Sequence, residues 1–228
     1  MKRAAIVAVA AATLGGCGFL PHGKGNASVW ITRERGTEVV LVKKVPAGIS
    51  AMDALARVAD VKTRYGGRYV QSIGGVAGSL SAHRDWFYFI NGYEADRSAA
   101  DYKLHDGDVE WWDFRSWKNQ MRVPAVVGAF PEPFLHGYAG KTRKATMIID
   151  SASLRQEGKG LAKLIRAKAL RQEELPDANI LYLTQRNVSF TATTTDAGAP
   201  VRFTIGSNAA RRLLADPKLA RFRYAGLR

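Results

Sequence analysis

The chain has 228 residues, of which 34 are Lys or Arg and 20 are Asp or Glu, and it contains one cysteine. One cysteine excludes an intramolecular disulfide and a zinc site built from several thiolates. The hydrophobic content of 46% is enough for a buried core and excludes a wholly disordered chain. The formal net charge of +14 predicts an anionic neighbour: a membrane surface, a wall polymer or a nucleic acid.

The first seventeen residues have the pattern of a bacterial lipoprotein signal. A basic start precedes an apolar run at residues 4–14, which is too short to cross a bilayer as a helix but suits a signal peptide. The LGGC sequence that ends at Cys17 resembles a lipobox. We expect residues 1–16 to be removed and lipid chains on Cys17 to anchor the protein, extracytoplasmically, to the bacterial cell membrane, where nucleic acid is not a partner. The alternative is an ordinary secreted protein.

Charge divides the remaining chain into two parts. Residues 17–118 carry 14 basic and 12 acidic side chains, whereas residues 119–228 carry 18 basic and 8 acidic ones. Proline-containing segments lie near this change, including FPEP at residues 130–133, and regular elements seldom cross such segments. We therefore predict a tether at residues 17–27, a first domain at residues 28–118, and a basic α/β domain of unknown type at residues 119–228.

The first domain has the pattern of two strands, a helix and three further strands. Alternating or β-branched runs predict strands at residues 28–33, 38–45, 68–73, 85–91 and 109–114. Ser50, with Asp53 three residues later, predicts a capped helix that Gly66-Gly67 is expected to end. This order predicts an α+β fold with a β-grasp-like mixed sheet over one helix, followed by the second, small α/β domain.

The second domain alternates strands and helices. The patterns predict helices at residues 160–170 and 209–215, and strands at residues 145–149, 179–184, 188–193 and 201–205. One surface of the first of these helices is basic, through Lys159, Lys163, Arg166, Lys168 and Arg171. This surface is either a solvated face or a surface that contacts anionic lipid headgroups or wall polymer.

A family resemblance lies within the first domain. RYVQSI at residues 68–73, WFYFING at residues 86–92 and ADYKLHDGD at residues 100–108 are similar, in order and spacing, to the transcobalamin-like C-terminal domain of the DUF4430 type. Bacteria carry this domain on surface lipoproteins, and in animals it is the smaller domain of the cobalamin carriers. The resemblance covers about residues 28–117 and implies the β-grasp-like fold.

The resemblance also implies a ligand, cobalamin or a related corrinoid. In the vitamin carriers, apolar side chains of this domain cover one face of the corrin, and Tyr88 and Ala95 match such contacts by position. The full predicted ligand-binding set is Trp86, Tyr88, Ala95, Gly74, Gly75 and Trp112. The carriers hold the vitamin between this domain and a helical barrel that has no counterpart in this sequence. The rest of a clamp is therefore expected from residues 119–228 or from a partner protein.

The aromatic strand leaves two interpretations open. In a strand, Trp86 and Tyr88 share one face, and the phenylalanines at positions 87 and 89 share the other. Either all four rings belong to the core, or Tyr88 and Trp86 form an exposed platform for a corrin edge or a sugar ring. The two tryptophans at residues 111–112 also lie on opposite faces, so we expect one of them to be partly exposed.

The sequence carries no recognisable catalytic or metal-binding motif. It lacks the GxSxG and HExxH patterns, and the DGD sequence at residues 106–108 is typical of a hairpin turn rather than a calcium loop. We therefore predict a non-enzymatic surface lipoprotein that requires no cofactor or metal and binds a ligand through its first domain. The alternative is an envelope adhesion or assembly module whose sheet edge and aromatic residues bind a transporter, another envelope protein or a glycan.

Overall fold

The computed structural model describes residues 25–227. The predicted signal peptide, Cys17 and most of the predicted tether lie outside these residues. The described chain is α+β, as predicted, with thirteen strands and four α-helices. None of the helices in this described range is long and apolar enough to span a membrane.

The N-terminal half contains eight strands and one helix. Its elements are β1 (Asn26–Arg33), β2 (Glu38–Pro46), α1 (Ala51–Ala56), β3 (Val61–Arg64), β4 (Tyr69–Ile73), β5 (Val76–Ala77), β6 (Arg84–Ile90), β7 (Tyr93–Glu94) and β8 (Val109–Ser116). Five of the strands form a mixed sheet in the order β2-β1-β8-β6-β7, the first sheet. Only β1 and β8 are parallel neighbours in it, and the other pairs are antiparallel. This is the predicted mixed sheet.

The C-terminal half adds a second sheet with helices beside it. Its elements are α2 (Glu132–Leu135), β9 (Ala145–Ile149), α3 (Arg155–Leu164), β10 (Leu170–Arg171), β11 (Asn179–Thr184), β12 (Thr191–Thr193), β13 (Arg202–Gly206) and α4 (Ser207–Ala215). The strand order is β10-β9-β11-β13-β12, and every pair is parallel except β12 with β13. Helices α3 and α4 pack against each other and against this sheet, as parallel strands with helical connections require.

Helix α1 begins as predicted but is much shorter. The backbone N–H of Asp53 donates to the Ser50 hydroxyl at 3.0 Å, which satisfies one free donor of the first turn. The helix ends at Ala56 and not at the glycine pair, because Val61–Arg64 forms β3 and pairs with β4. Strands β3, β4 and β5 make a separate three-stranded sheet. The expectation that residues 68–73 belong to the mixed sheet is therefore wrong.

Two elements of the C-terminal half also differ from the prediction. Helix α3 begins at Arg155 instead of residue 160 and ends at Leu164 instead of residue 170. Arg166 adopts a positive φ of 54°, which is incompatible with continuing a right-handed helix, and residues 170–171 pair with β9 as β10. The strand predicted at residues 188–193 is reduced to the three residues of β12.

The inner strands of the first sheet are covered on both faces by other parts of the chain. On one face, Trp86 and Trp112 share a core with Leu55 of α1. On the other face, Trp111 packs with Val126 and Tyr224, which come from the C-terminal half. The expectation that one of the two adjacent tryptophans is exposed is therefore wrong: Trp111 is 0% and Trp112 is 3% exposed.

Polar contacts also join the two halves. The Tyr138 hydroxyl donates to Asp96 at 2.6 Å, and the Tyr224 hydroxyl donates to Asp113 at 2.9 Å. These bonds, with the shared packing, hold the second half against the sheet of the first. The domain boundary near residue 120 stays a prediction.

Candidate ligand-binding site

Trp86, the first residue of the predicted ligand-binding set, links the first sheet to the three-stranded sheet. It is 7% exposed, and its ring centroid lies 5.2 Å from that of Phe114. Its indole N–H donates to the carbonyl of Val76 at 2.8 Å, which links β6 to β5. The Trp86 ring is therefore part of the core and does not present an open face.

Tyr88, Trp112 and Ala95 are brought together beside it. The rings of Tyr88 and Trp112 stack with centroids 4.8 Å apart and planes 17° apart. Tyr88 is half-buried, and its hydroxyl donates to the carbonyl of Arg97. The backbone N–H of Ala95 donates to the carbonyl of Tyr88 at 3.1 Å. The loop that follows β7 thus holds the Tyr88 side chain, and burial raises the pKa of its phenol, which stays protonated.

Gly74 and Gly75 form an exposed turn between β4 and β5. Their φ angles are 56° and 79°, a region that favours glycine, and a Cβ on either residue would meet no atom within 4 Å. The turn is continuous with Val76, which bonds to Trp86. All six predicted residues are thus connected, but the Trp86 and Trp112 rings are covered and Tyr88 is half-buried. Whether these residues bind a ligand stays a prediction.

A buried carboxyl group lies beneath the stacked rings. Glu110 is 0% exposed, and its Oε1 accepts a hydrogen bond from the Trp112 indole N–H at 2.5 Å. Its Oε2 is buried without a partner among the described residues. Burial raises the pKa of Glu110 well above its usual value of 4.5, because the charged form loses its hydration. The structure therefore favours the protonated acid.

This raised pKa predicts a pH-dependent stability that Glu110→Gln removes. The folded chain binds the Glu110 proton more tightly than the unfolded chain does. Protonation of Glu110 therefore stabilises the folded chain fully below about pH 4.5, and this contribution is lost as the pH rises through the pKa that Glu110 has in the folded chain. At pH 8 the glutamine variant is expected to be more stable than the wild type by roughly 1–3 kcal/mol, and at pH 4 by much less. Urea denaturation at both pH values measures this.

Glu173→Gln is the matched control, since Glu173 is exposed. It is expected to unfold with the wild-type pH dependence. If Glu110→Gln also kept that dependence, the assignment of a buried protonated acid would be wrong.

The described residues expose one aromatic cluster in this half of the chain, and sequence reasoning missed it. Tyr65, Tyr69 and Leu80 are 77%, 40% and 81% exposed, and we call them the aromatic hairpin patch. The two tyrosine rings meet edge to face with centroids 6.1 Å apart. Leu80 follows β5 in the turn where Ser79 pairs with Arg84, two residues after the Gly78 N–H donates to the carbonyl of Gln71.

Polar groups border the patch and connect it to the loop that holds Tyr88. The Tyr69 hydroxyl donates to Asp85, and burial together with this bond raises the pKa of Tyr69 to about 12. The carbonyl of Arg68 accepts a hydrogen bond from the Ser98 hydroxyl at 2.6 Å. The aromatic hairpin patch therefore combines ring faces with fixed hydrogen-bonding groups, an arrangement that suits a planar ring system with a polar edge.

The sequence did contain a signal for this patch. YGGRY at residues 65–69 places a glycine pair between two β-branched runs, which is typical of a hairpin turn. Interpreting the glycines as a helix end concealed the hairpin and the tyrosines on either side of it. No group of three or more His, Cys, Asp or Glu side chains in residues 25–227 is placed to hold a metal ion.

Comparison with known proteins agrees with part of the resemblance. Residues 48–116, less than a third of the chain, match the family described as a domain of unknown function, DUF4430. The chain has no match among curated proteins. Solved structures that resemble it include a protein from Ruminococcus gnavus ATCC 29149, provisionally assigned as metal-binding, and haptocorrin in complex with Cbi.

Both structural likenesses are distant. Each has 14% sequence identity and a TM-score of 0.34 and covers 41% of this chain. The match spans 98% of the Ruminococcus chain but only 26% of haptocorrin. The family match at residues 48–116 agrees with the predicted resemblance to a DUF4430-type domain, and the predicted domain bounds of 28–118 stay a prediction.

Proposed function

We propose that the chain is a non-enzymatic, extracytoplasmic lipoprotein that binds a ligand through its DUF4430-type domain, with cobalamin or a related corrinoid as the first candidate ligand. The aromatic hairpin patch carries this proposal. Leu80 and Tyr65 are the two most exposed large apolar side chains in the described residues, and both lie within the matched segment. Meanwhile Trp86, Trp111 and Trp112 of the first sheet are buried.

The chemistry of the patch fits a flat, partly apolar molecule. Exposed apolar side chains that cluster are typical of binding surfaces, whereas single ones are common on any protein. A ligand that covers such a cluster removes its apolar area from water, which is energetically favourable. The tyrosine rings supply flat faces, and Asp85 and the loop around Arg97 supply polar groups for the edge of a ring system. We place the ligand on this surface because Trp86, one of the two residues of the expected platform, is buried.

Equilibrium dialysis against cyanocobalamin tests the proposal. The wild-type chain is expected to bind with a dissociation constant in the micromolar range or tighter. The Tyr65→Ala, Tyr69→Ala double variant is expected to bind about ten-fold to a hundred-fold more weakly, because each aromatic contact contributes roughly 0.5–1.5 kcal/mol beyond the area it buries.

Met121→Ala is the control for this titration, since Met121 is 55% exposed and lies outside the patch. It is expected to bind like the wild type. An absence of binding at high micromolar cobalamin would exclude the corrinoid, and equal affinity of the double variant would exclude the patch.

The lipid anchor is a separate part of the proposal. It depends on the basic, apolar and LGGC segments that end at Cys17. Mass spectrometry of the mature protein is expected to find a diacylglyceryl thioether on Cys17 as the first residue. An unmodified thiol there would overturn the anchor and leave ligand binding unaffected.

One observation favours the alternative, an adhesion or assembly module. Strand β2 is an edge of the first sheet, and its Val39, Val40 and Val42 are 48%, 47% and 42% exposed. An edge strand offers unpaired backbone groups to which a strand of an envelope protein can add. Such a partner would protect the amides of β2 from hydrogen exchange, whereas a ligand on the patch would protect residues 61–80.

A further inference from the structure

A basic cleft of about 420 Å³ lies in the C-terminal half, beyond the end of α3. It shares no residue with the aromatic hairpin patch, so binding in the cleft does not depend on the proposed function. Five cationic side chains from three stretches of the chain line it: Arg143, Lys144, Arg166, Lys168 and Arg171. Two of them precede β9, two follow α3, and the last belongs to β10.

The positive charge of the cleft is largely uncompensated. No Asp or Glu lines it. Arg143 is partly held, since its Nε donates to the carbonyl of Gly198 at 2.9 Å and its Nη1 lies 3.4 Å from a carboxylate oxygen of Asp177. For the other four cations, residues 25–227 provide no ion-pair partner within 4.0 Å. Like charges that line one cleft repel one another, and an anion in the cleft would relieve that repulsion.

The helix end alone does not explain this charge. The C-terminus of α3 carries a partial negative charge that favours cations in its last turn. Arg166 lies two residues beyond that end, but Lys144 directly precedes β9 and Arg171 belongs to β10. Cations therefore converge on the cleft from parts of the chain that the helix dipole does not reach.

The wall of the cleft is apolar. Leu175, Ala145 and Ala169 line it with partly or fully exposed side chains, and the buried Phe134 and Ile165 complete this side. A free inorganic phosphate would fill only a small part of the volume and would leave the apolar wall in contact with water. The occupant that fits both the charge and the wall is an anion with an attached apolar group.

We propose that this cleft binds a phosphate monoester with an apolar or aromatic substituent. Its phosphate oxygens accept hydrogen bonds from Arg166, Lys168 and Arg171, and its substituent packs on Leu175 and Ala169. Guanidinium groups suit this role because they bind phosphate oxygens in pairs. The same chemistry occurs in the headgroup of an anionic lipid and in a soluble phosphorylated metabolite.

Isothermal titration calorimetry on the full chain tests this proposal with three probes: inorganic phosphate, phenyl phosphate and monomeric dihexanoylphosphatidic acid. The two substituted phosphates are expected to bind at least ten-fold more tightly than inorganic phosphate. Tighter binding of the lipid would identify the bilayer as the source of the ligand, and tighter binding of phenyl phosphate would identify a soluble compound. Equal affinity for all three probes, or no binding, would overturn the proposal.

Two double variants distinguish binding in the cleft from nonspecific attraction to the positive charge of the chain. Arg166→Gln with Lys168→Gln removes two cleft cations and is expected to weaken binding of the better probe at least ten-fold. Lys159→Gln with Lys163→Gln removes two exposed cations of α3 that do not line the cleft, and it is expected to change affinity less than two-fold. Equal losses in the two double variants would overturn the site, because nonspecific attraction would then explain the binding.

Discussion

Replacing Asp113 by alanine is expected to lower the free energy of unfolding by about 3–5 kcal/mol, one of the two largest single-residue effects predicted for this chain. The carboxylate of Asp113 is 0% exposed and accepts four hydrogen bonds. The donors are the Thr32 hydroxyl at 2.5 Å, the backbone N–H groups of Arg35 and Gly36 at 3.1 Å each, and the Tyr224 hydroxyl at 2.9 Å.

This effect is large because the Asp113→Ala substitution removes the acceptor of several hydrogen-bond donors. Alanine at position 113 would leave the buried hydroxyls of Thr32 and Tyr224 without this acceptor, and each such buried donor costs roughly 1–3 kcal/mol. The partly buried N–H groups of the turn between β1 and β2 would also lose their acceptor. Asp60→Ala is the control, since Asp60 is exposed, and it is expected to change stability by less than about 0.5 kcal/mol. Chemical denaturation measures both variants. A similar small effect for both would contradict the role of Asp113 in joining the two halves.

Trp111→Ala is expected to cost about 3–5 kcal/mol, as the removal of a large buried aromatic side chain does. The Trp111 ring lies 5.6 Å from the rings of both Phe89 and Tyr224 and 6.2 Å from that of Trp30, measured between centroids. Its indole N–H also donates to the Thr32 hydroxyl at 2.8 Å. The variant would lose this packing and leave a cavity between the first sheet and the C-terminal half.

Trp117→Ala provides the comparison for this variant. The Trp117 ring is only partly buried and contacts His83 at a centroid distance of 4.7 Å, so its loss is expected to cost about 1 kcal/mol or less. Because Thr32 contacts both Asp113 and Trp111, the double variant Asp113→Ala, Trp111→Ala is expected to lose less stability than the sum of the single losses. If Trp111→Ala lowered the free energy of unfolding no more than Trp117→Ala does, the C-terminal half would not cover the face of the first sheet that carries Trp111.

Local sequence patterns predicted much of the fold because they act over a few residues. The β1–β2 hairpin, the Ser50 cap of α1 and the positions of strands β9, β11 and β13 follow from alternation, capping and β-branched runs. The length of α1 could not be obtained in this way. Val58 and Ala59 continue the helical spacing of apolar residues, but they pack against the core from the turn that follows the helix.

The candidate site was less predictable because burial depends on distant parts of the chain. The cover over Trp111 includes Tyr224, more than a hundred residues later, and no pattern around the aromatic strand reveals it. The exposure of Tyr65 and Tyr69, in contrast, follows from the hairpin that carries them. The basic surface predicted around α3, which included Arg171, acquires its cleft only when Arg143 and Lys144, just before β9, converge on it.

Hydrogen–deuterium exchange of the full chain, with and without saturating cyanocobalamin, tests the central claim most directly. Ligand binding at the aromatic hairpin patch predicts slower exchange in residues 61–80 and in the loop around Arg97, with β2 unchanged. Exchange that stays the same throughout the chain, or that slows only in β2, would contradict it.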